Sequence, residues 1–176
     1  MYDKKSGMVK RDKRRGRIML RKATIQDVSR IAEIIVFGKR VAYRPIFNND
    51  VVSFNELQVI HLIDEYKKDS ALVDNMLVYD DGLIKGVINR VFKDDAVEIC
   101  EFYVEPFFKG NGIGKKLIQQ VILEARTNKK SKVFLWVIEE NLSARKFYEN
   151  NGFIASGETC LIEGTMKTDM CYELIL

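Results

Sequence analysis

The sequence predicts a single mixed α/β domain, and three observations carry that prediction. The chain has 176 residues, which suits one compact domain and leaves little room for two. Between residues 76 and 104 it holds three β-branched and aromatic runs, separated by Asp80-Asp81-Gly82 and Lys93-Asp94-Asp95. That is the pattern of antiparallel strands joined by hairpin turns. On both sides of these runs, apolar residues recur at helical spacing, so helices and strands share the chain.

Composition narrows the class. Apolar residues make up 47% and charged residues 31%, too apolar a balance for disorder. Cys100, Cys160 and Cys171 are an odd number without a CxxC pair, and His61 is the only histidine. This argues against a disulfide scaffold and against a zinc site, so a reduced, cytoplasmic protein without metal is expected. No stretch approaches the ~18 to 20 apolar residues that span a bilayer, and the basic N-terminus lacks the apolar core of a secretory signal. Residues 1–17 carry eight Lys/Arg against Asp3 and Asp12, a charge of +6 within a total of +4, which leaves −2 for the rest. The expected organisation is a basic, disordered arm at 1–17 and a folded domain at 18–176, with Met19 as an alternative start.

Along the chain, Ile18–Ala23 is expected as a first strand. Thr24-Ile25-Gln26-Asp27 reads as a capping box with Asp replacing the usual Glu. Ile25, Val28, Ile31, Ala32 and Ile35 carry the helical period that follows, up to a stop at Gly38. Residues 39–52 show no clear period, hold Tyr43, Pro45 and Phe47, and read as an aromatic loop. Ser53-Phe54-Asn55-Glu56 is a full capping box opening a second helix toward Lys68. Strands are expected at Met76–Tyr79, Leu83–Phe92 and Ala96–Val104. A helix is expected at Gly112–Thr127, a buried strand at Lys132–Ile138, and a short helix at Leu142–Asn150 that Gly152 terminates. Phe153–Gly157 and Asp169–Leu176 are the expected last strands.

The most informative stretch runs from Val104 to Lys116, between a predicted strand and a predicted helix. Gly110, Gly112 and Gly114 alternate there, which frees the backbone to turn and removes side chains from the path of a ligand. Unpaired N–H groups at a helix start attract anions, and the helix dipole adds to that attraction. Lys109, Lys115 and Lys116 supply further positive charge. The loop is a candidate cradle for a phosphate or diphosphate. It is not a Walker loop, and Leu117 stands where a GxGxxG pattern needs its last glycine. The plain alternative is a glycine-rich turn linking strand to helix.

About 30 residues on, Asn141 is a good N-cap for a helix that carries Phe147 and Tyr148 near its end. By itself Tyr148 reads as ordinary packing. The combination is more specific. A strand ending Phe102-Tyr103-Val104, the loop Lys109-Gly110-Asn111-Gly112-Ile113-Gly114, and the segment Asn141 to Phe153 with Ala144-Arg145-Lys146-Phe147-Tyr148-Glu149 resemble the GNAT superfamily of acetyl-CoA-dependent N-acyltransferases, over about residues 18–176. That family's loop usually opens Gln/Arg-x-x-Gly-x-Gly/Ala. Here the first position is Lys109, which neutralises a phosphate without the planar fork of arginine.

The resemblance implies a mostly antiparallel sheet with a splayed central parallel pair and flanking helices. Strand Ala96–Val104 would part from strand Lys132–Ile138, with helix Gly112–Thr127 as a right-handed crossover. It implies acetyl-CoA as cosubstrate, with pantetheine amides pairing with the backbone of Phe102 and Val104. Tyr103, Lys109, Gly110, Asn111, Gly112, Ile113, Gly114, Lys115, Asn141, Ala144 and Phe147 complete the expected contacts. Tyr148 would protonate the leaving thiolate, and the Val104 N–H would stabilise the oxyanion. Glu98 matches the strand position of a general base in the histone-acetylating branch. By the two-residue strand period it would share a face with Cys100, Phe102 and Val104, with Glu101 opposite.

The function expected is transfer of acetyl to a primary amine by direct attack. The acceptor is a small molecule or a peptide, framed by residues 38–52 and 160–168, with Tyr43 and Phe47 as walls or as anchors of their loop. Two alternatives stay open: a non-catalytic acyl-CoA-binding module, and a protein acetylase whose basic arm docks on a nucleic-acid-associated target. A homodimer is compatible with the sequence. Nucleic acid is expected only through the arm, and membrane association is not expected.

Overall fold

The computed structural model describes residues 19–176; the expectations for the 1–17 arm and for Ile18 lie outside the described residues. The strands are β1 (Met19–Lys22), β2 (Met76–Asp80), β3 (Ile84–Phe92), β4 (Ala96–Val104), β5 (Lys132–Ile138), β6 (Ile154–Leu161) and β7 (Thr168–Ile175). The helices are α1 (Val28–Phe47), α2 (Val59–Lys68), α3 (Ala71–Asp74), α4 (Ile113–Thr127) and α5 (Leu142–Glu149). One seven-stranded sheet has the order β1-β2-β3-β4-β5-β7-β6. Neighbours are antiparallel except β4 and β5, which run parallel with α4 as their crossover. This is the mixed, mostly antiparallel sheet expected from the sequence.

Helices cover both faces because strand side chains alternate. On one face Val97, Ile99, Val133 and Leu135 pack against Leu117, Ile118, Val121 and Ala125 of α4. On the other, Val78 and Val87 meet Ile31, Ile34 and Ile35 of α1 and Tyr66 of α2. Each such side chain removed from water contributes about 1.5–3 kcal/mol before conformational entropy is counted. Among the described residues no helix is long and apolar enough to cross a membrane.

The predicted Thr24–Asp27 box forms: the Thr24 N–H donates to Asp27 Oδ2 at 2.8 Å. Arg21 binds the same carboxylate at 2.7 Å and Asp80 at 2.9 Å, so one guanidinium ties β1 to β2 and to the entry of α1. The expected stop at Gly38 is corrected. α1 runs on to Phe47, with Pro45 inside it, and ends at Asn48 in the left-handed region at φ 49°. Residues 39–47 lack an apolar period because Val41, Ala42 and Tyr43 face a cleft rather than the core. Ser53 does not cap a helix either. Its hydroxyl donates to Asn49 O at 2.8 Å within a π-helical turn at Val52–Glu56, and α2 starts only at Val59.

Gly38 serves close packing. A Cβ there would lie 2.6 Å from Tyr103 Cδ1 and 3.1 Å from its Cγ, so glycine lets α1 close onto β4. Tyr103 cannot swing away cheaply, because its hydroxyl is held 2.9 Å from that of Tyr43. Gly38→Val is expected to cost about 1–3 kcal/mol through overpacking, seen as a melting temperature lower by several degrees. An unchanged melt would mean that Tyr103 yields freely.

Candidate active site

β4 and β5 pair only from Ala96–Lys132 to Ile99–Leu135. Beyond that last rung, residues 100–104 and 136–138 have no partner across the gap. The Glu105 N–H donates to Lys85 O of the segment entering β3. Strand alternation then turns the amides of Phe102 and Val104 the other way, toward β5. A strand edge with free donors and acceptors thus lines a cleft of about 670 Å³. The expected splay is present.

The mouth of the cleft is the glycine loop. Gly110 and Gly112 adopt φ of 81° and 73°, the region that favours glycine. Gly112 is the residue before α4, and no side chain caps that helix start. The Lys116 N–H returns to Gly112 O at 3.1 Å, so the amides ahead of it have no intrahelical acceptor. Lys109 and Lys115 border the same space. Lys116 does not: its ammonium lies over the Tyr79 ring, 5.4 Å from the centroid. Asn111 closes the turn through Nδ2 to Phe108 O at 3.2 Å. Gly114 lets the first turn of α4 meet Phe147, whose ring a Cβ there would approach to 3.3 Å.

The far wall is α5. Asn141 Oδ1 accepts from the Ala144 N–H at 3.2 Å and caps this helix. Arg145 Nε donates to Tyr172 Oη at 3.1 Å, and that hydroxyl donates to Glu149 at 2.8 Å, which docks α5 on β7. Tyr148 sits at the base of the cleft, its ring 5.5 Å from Phe147 and 5.9 Å from Phe153. Burial pushes its phenol well above the ordinary value, so it stays protonated at neutral pH. Burial also raises the phenols of Tyr43 and Tyr103.

The cleft brings together Phe102, Tyr103, Val104, Lys109, Gly110, Gly112, Ile113, Gly114, Lys115, Asn141, Ala144, Phe147, Tyr148 and Tyr43 of the residues singled out from sequence. Phe47 does not line it. Phe47 borders a neighbouring groove with Asn49, Val52 and residues 162–167, one helical turn from Tyr43 and 6.2 Å from that ring. Trp136, Val41 and Cys100 line the cleft without having been singled out for it. Trp136 read only as a buried strand residue, yet it is 38% exposed.

The shared face expected for Glu98, Phe102 and Val104 is corrected by a β-bulge. Asn89 pairs with Glu101 and Arg90 with Ile99, so Cys100 is an extra, unpaired residue. One inserted residue reverses the alternation. Phe102 and Val104 therefore share the α4 face with Val97 and Ile99. Glu98 falls on the other face with Glu101 and does not line the cleft; its carboxylate lies 3.2 Å from Lys93 Nζ. Among the described residues, no group of three His, Cys, Asp or Glu gathers to hold a metal.

Comparison with known proteins agrees with this geometry. Residues 57–174 match the model of the acetyltransferase (GNAT) domain. An uncharacterized N-acetyltransferase of Methanocaldococcus jannaschii is 41% identical over 66 residues, 38% of this chain and 29% of that one. The spermine/spermidine N(1)-acetyltransferase of Bacillus subtilis is 30% identical over 67 residues, 38% of this chain and 44% of that one. The chain thus spans less than half the length of these curated relatives. The crystal structure of the PaiA N-acetyltransferase from Thermoplasma acidophilum with coenzyme A superposes with a TM-score of 0.69 at 20% identity, over 92% of this chain and all of that one.

Proposed function

Since the chain belongs to the GNAT acetyltransferase family, we propose that it moves an acetyl group from acetyl-CoA to a primary amine by direct attack. One observation carries the reading: a single cleft joins an uncapped, glycine-lined helix start to an unpaired strand edge and ends at a buried, protonated tyrosine. These parts match acetyl-CoA in order, with an anion cradle for the diphosphate, an edge for the pantetheine amides and a proton donor at the sulfur. The thioester supplies the activated acetyl group.

In this reading the amides of residues 112–115, with Lys109 and Lys115, hold the diphosphate. Phe102 and Val104 pair with the pantetheine amides as a strand would. A neutral amine attacks the thioester carbonyl, and the Val104 N–H steadies the negative oxygen. As the C–N bond forms and the C–S bond breaks, Tyr148 gives its proton to sulfur. The proton on nitrogen leaves to water in the open cleft. Glu98 is not required in this reading: it lies on the opposite face from Phe102 and Val104, with its carboxylate 3.2 Å from Lys93 Nζ.

The test is release of free CoA thiol from acetyl-CoA, screened against polyamines, aminoglycosides, amino acids and peptide N-termini. The name of the Bacillus subtilis relative puts polyamines first. Thiol release matched by acetylated amine is the expected result. Acetyl-CoA binding without release in any class would overturn transfer in favour of a binding module.

A further inference from the structure

We propose that Cys100 is a redox-sensitive modification site: it joins the thiol end of a coenzyme A held in the cleft, in a mixed disulfide that closes the cleft to acetyl-CoA. This rests on the coenzyme A half of the reading above and does not depend on acetyl transfer.

Cys100 owes its place to the bulge. Ile99 makes the last rung with Leu135 of β5, and Cys100, next in the chain, is the residue that β3 leaves unpaired. It therefore has no partner residue in either neighbouring strand at the point where β4 and β5 part. Its side chain is exposed and lines the cleft, as does Trp136, the residue after Leu135. The other two cysteines do not line it: Cys171 is buried in β7, and Cys160 is exposed on the edge strand β6.

A second group marks where the sulfur of a ligand ends. Tyr148 lines the same cleft, is only 9% exposed, and has no hydrogen-bond partner for its hydroxyl among the described residues. A buried hydroxyl without a partner is an exception in folded proteins, and here it faces space that a ligand can fill. Its ring lies 6.3 Å from that of Phe102, two residues along β4 from Cys100. The length of the pantetheine arm agrees. With its two amides on Val104 and Phe102, the ethyl group beyond the second amide carries the sulfur about one residue further along the strand, ~3.3 Å. The Cys100 side chain spans the step that remains.

Reactivity alone does not select this thiol. Burial raises Cys100 above the ordinary value, and Glu98 and Glu101 add to the rise against Lys93. It is a poor nucleophile toward a disulfide met by chance, so selectivity comes from binding, which holds the two sulfurs together. The step is exchange with coenzyme A disulfide. One half of the disulfide occupies the cleft as coenzyme A does. Cys100 gives its proton to water, and its thiolate attacks the sulfur of that half. A bond forms from Cys100 Sγ to this sulfur as the old S–S bond breaks. The electron pair leaves on the sulfur of the other half, which takes up a proton and departs as free coenzyme A. A reducing thiol reverses the step.

The experiment incubates the protein with coenzyme A disulfide or with glutathione disulfide and assigns the adducts by peptide mass spectrometry. Cys100 should react at least about tenfold faster with coenzyme A disulfide, because a bound reagent acts at a raised effective concentration. Cys160 is the internal reference, with a ratio near one. Excess acetyl-CoA should protect Cys100 and leave Cys160 unprotected. Protein treated with coenzyme A disulfide should gain no further melting shift from acetyl-CoA until dithiothreitol is added. Cys100→Ser should keep whatever shift it has through the same treatment. Where untreated protein shows the acetyl-CoA shift, equal reaction of Cys100 with the two disulfides, or no protection by acetyl-CoA, overturns this proposal alone. No shift in the untreated protein overturns the coenzyme A reading of the cleft and this proposal with it.

Discussion

Gly112→Asp abolishes the stabilisation of the fold by acetyl-CoA. For the wild type, acetyl-CoA at ~100 times its dissociation constant adds about 2.7 kcal/mol. For a domain of this size that is a melting shift of roughly 5 to 11 °C. The fold itself has room for the substitution, since a Cβ on Gly112 meets nothing within 4 Å. Its cost to the free protein is the left-handed backbone at φ 73°, which Asp tolerates better than most side chains. The cost to binding is larger, because a carboxylate would stand where the uncapped amides of α4 meet a diphosphate. Gly112→Ala separates the two effects: it carries at least as much backbone strain without charge, so it should keep part of the shift. Differential scanning fluorimetry with and without acetyl-CoA reads both variants. A full shift in Gly112→Asp would remove the anion from this loop.

The fold was largely legible where local pattern and burial agree. β4 and β5 begin and end at the predicted residues, because both are β-branched runs bounded by turns. α1 was legible only as far as its core-facing stripe. Past Gly38 the helix borders the cleft on one side and water on the other, so the apolar period fades while the helix continues. Gly38 reads as a stop in one dimension and proves to be a close contact with Tyr103 in three. The Ser53 box shows that a local motif can lose to its neighbours: the Asn49 carbonyl claims the hydroxyl.

The candidate site divides along the same line. Its phosphate loop and α5 wall are contiguous segments whose glycines, cap and aromatics are visible in order. The bulge at Cys100 is not visible, because it is a property of the pairing with β3 and not of β4 alone. One unpaired residue was enough to carry Glu98 from the expected face to the other.

Tyr148→Phe lowers kcat by roughly 10², the lower end of what a positioned proton donor contributes, and leaves acetyl-CoA binding intact. The substitution removes one oxygen and keeps the ring that packs among Phe102, Phe147, Phe153 and Tyr172. No side chain of the described residues depends on that hydroxyl for a hydrogen bond, so its loss orphans nothing, and the melting temperature and the acetyl-CoA shift should hold. The pH profile adds a second reading. A phenol raised by burial keeps its proton to higher pH than the ordinary ~10. The wild-type rate should therefore climb toward alkaline pH as the amine loses its proton, with no fall from Tyr148 up to about pH 10. The variant should show the same climb from a lower level. Single-turnover and steady-state rates together check that the deficit lies in the chemical step. Near-wild-type turnover in Tyr148→Phe would return Tyr148 to packing: the thiolate would then leave unprotonated, and the transfer reading would stand without its acid.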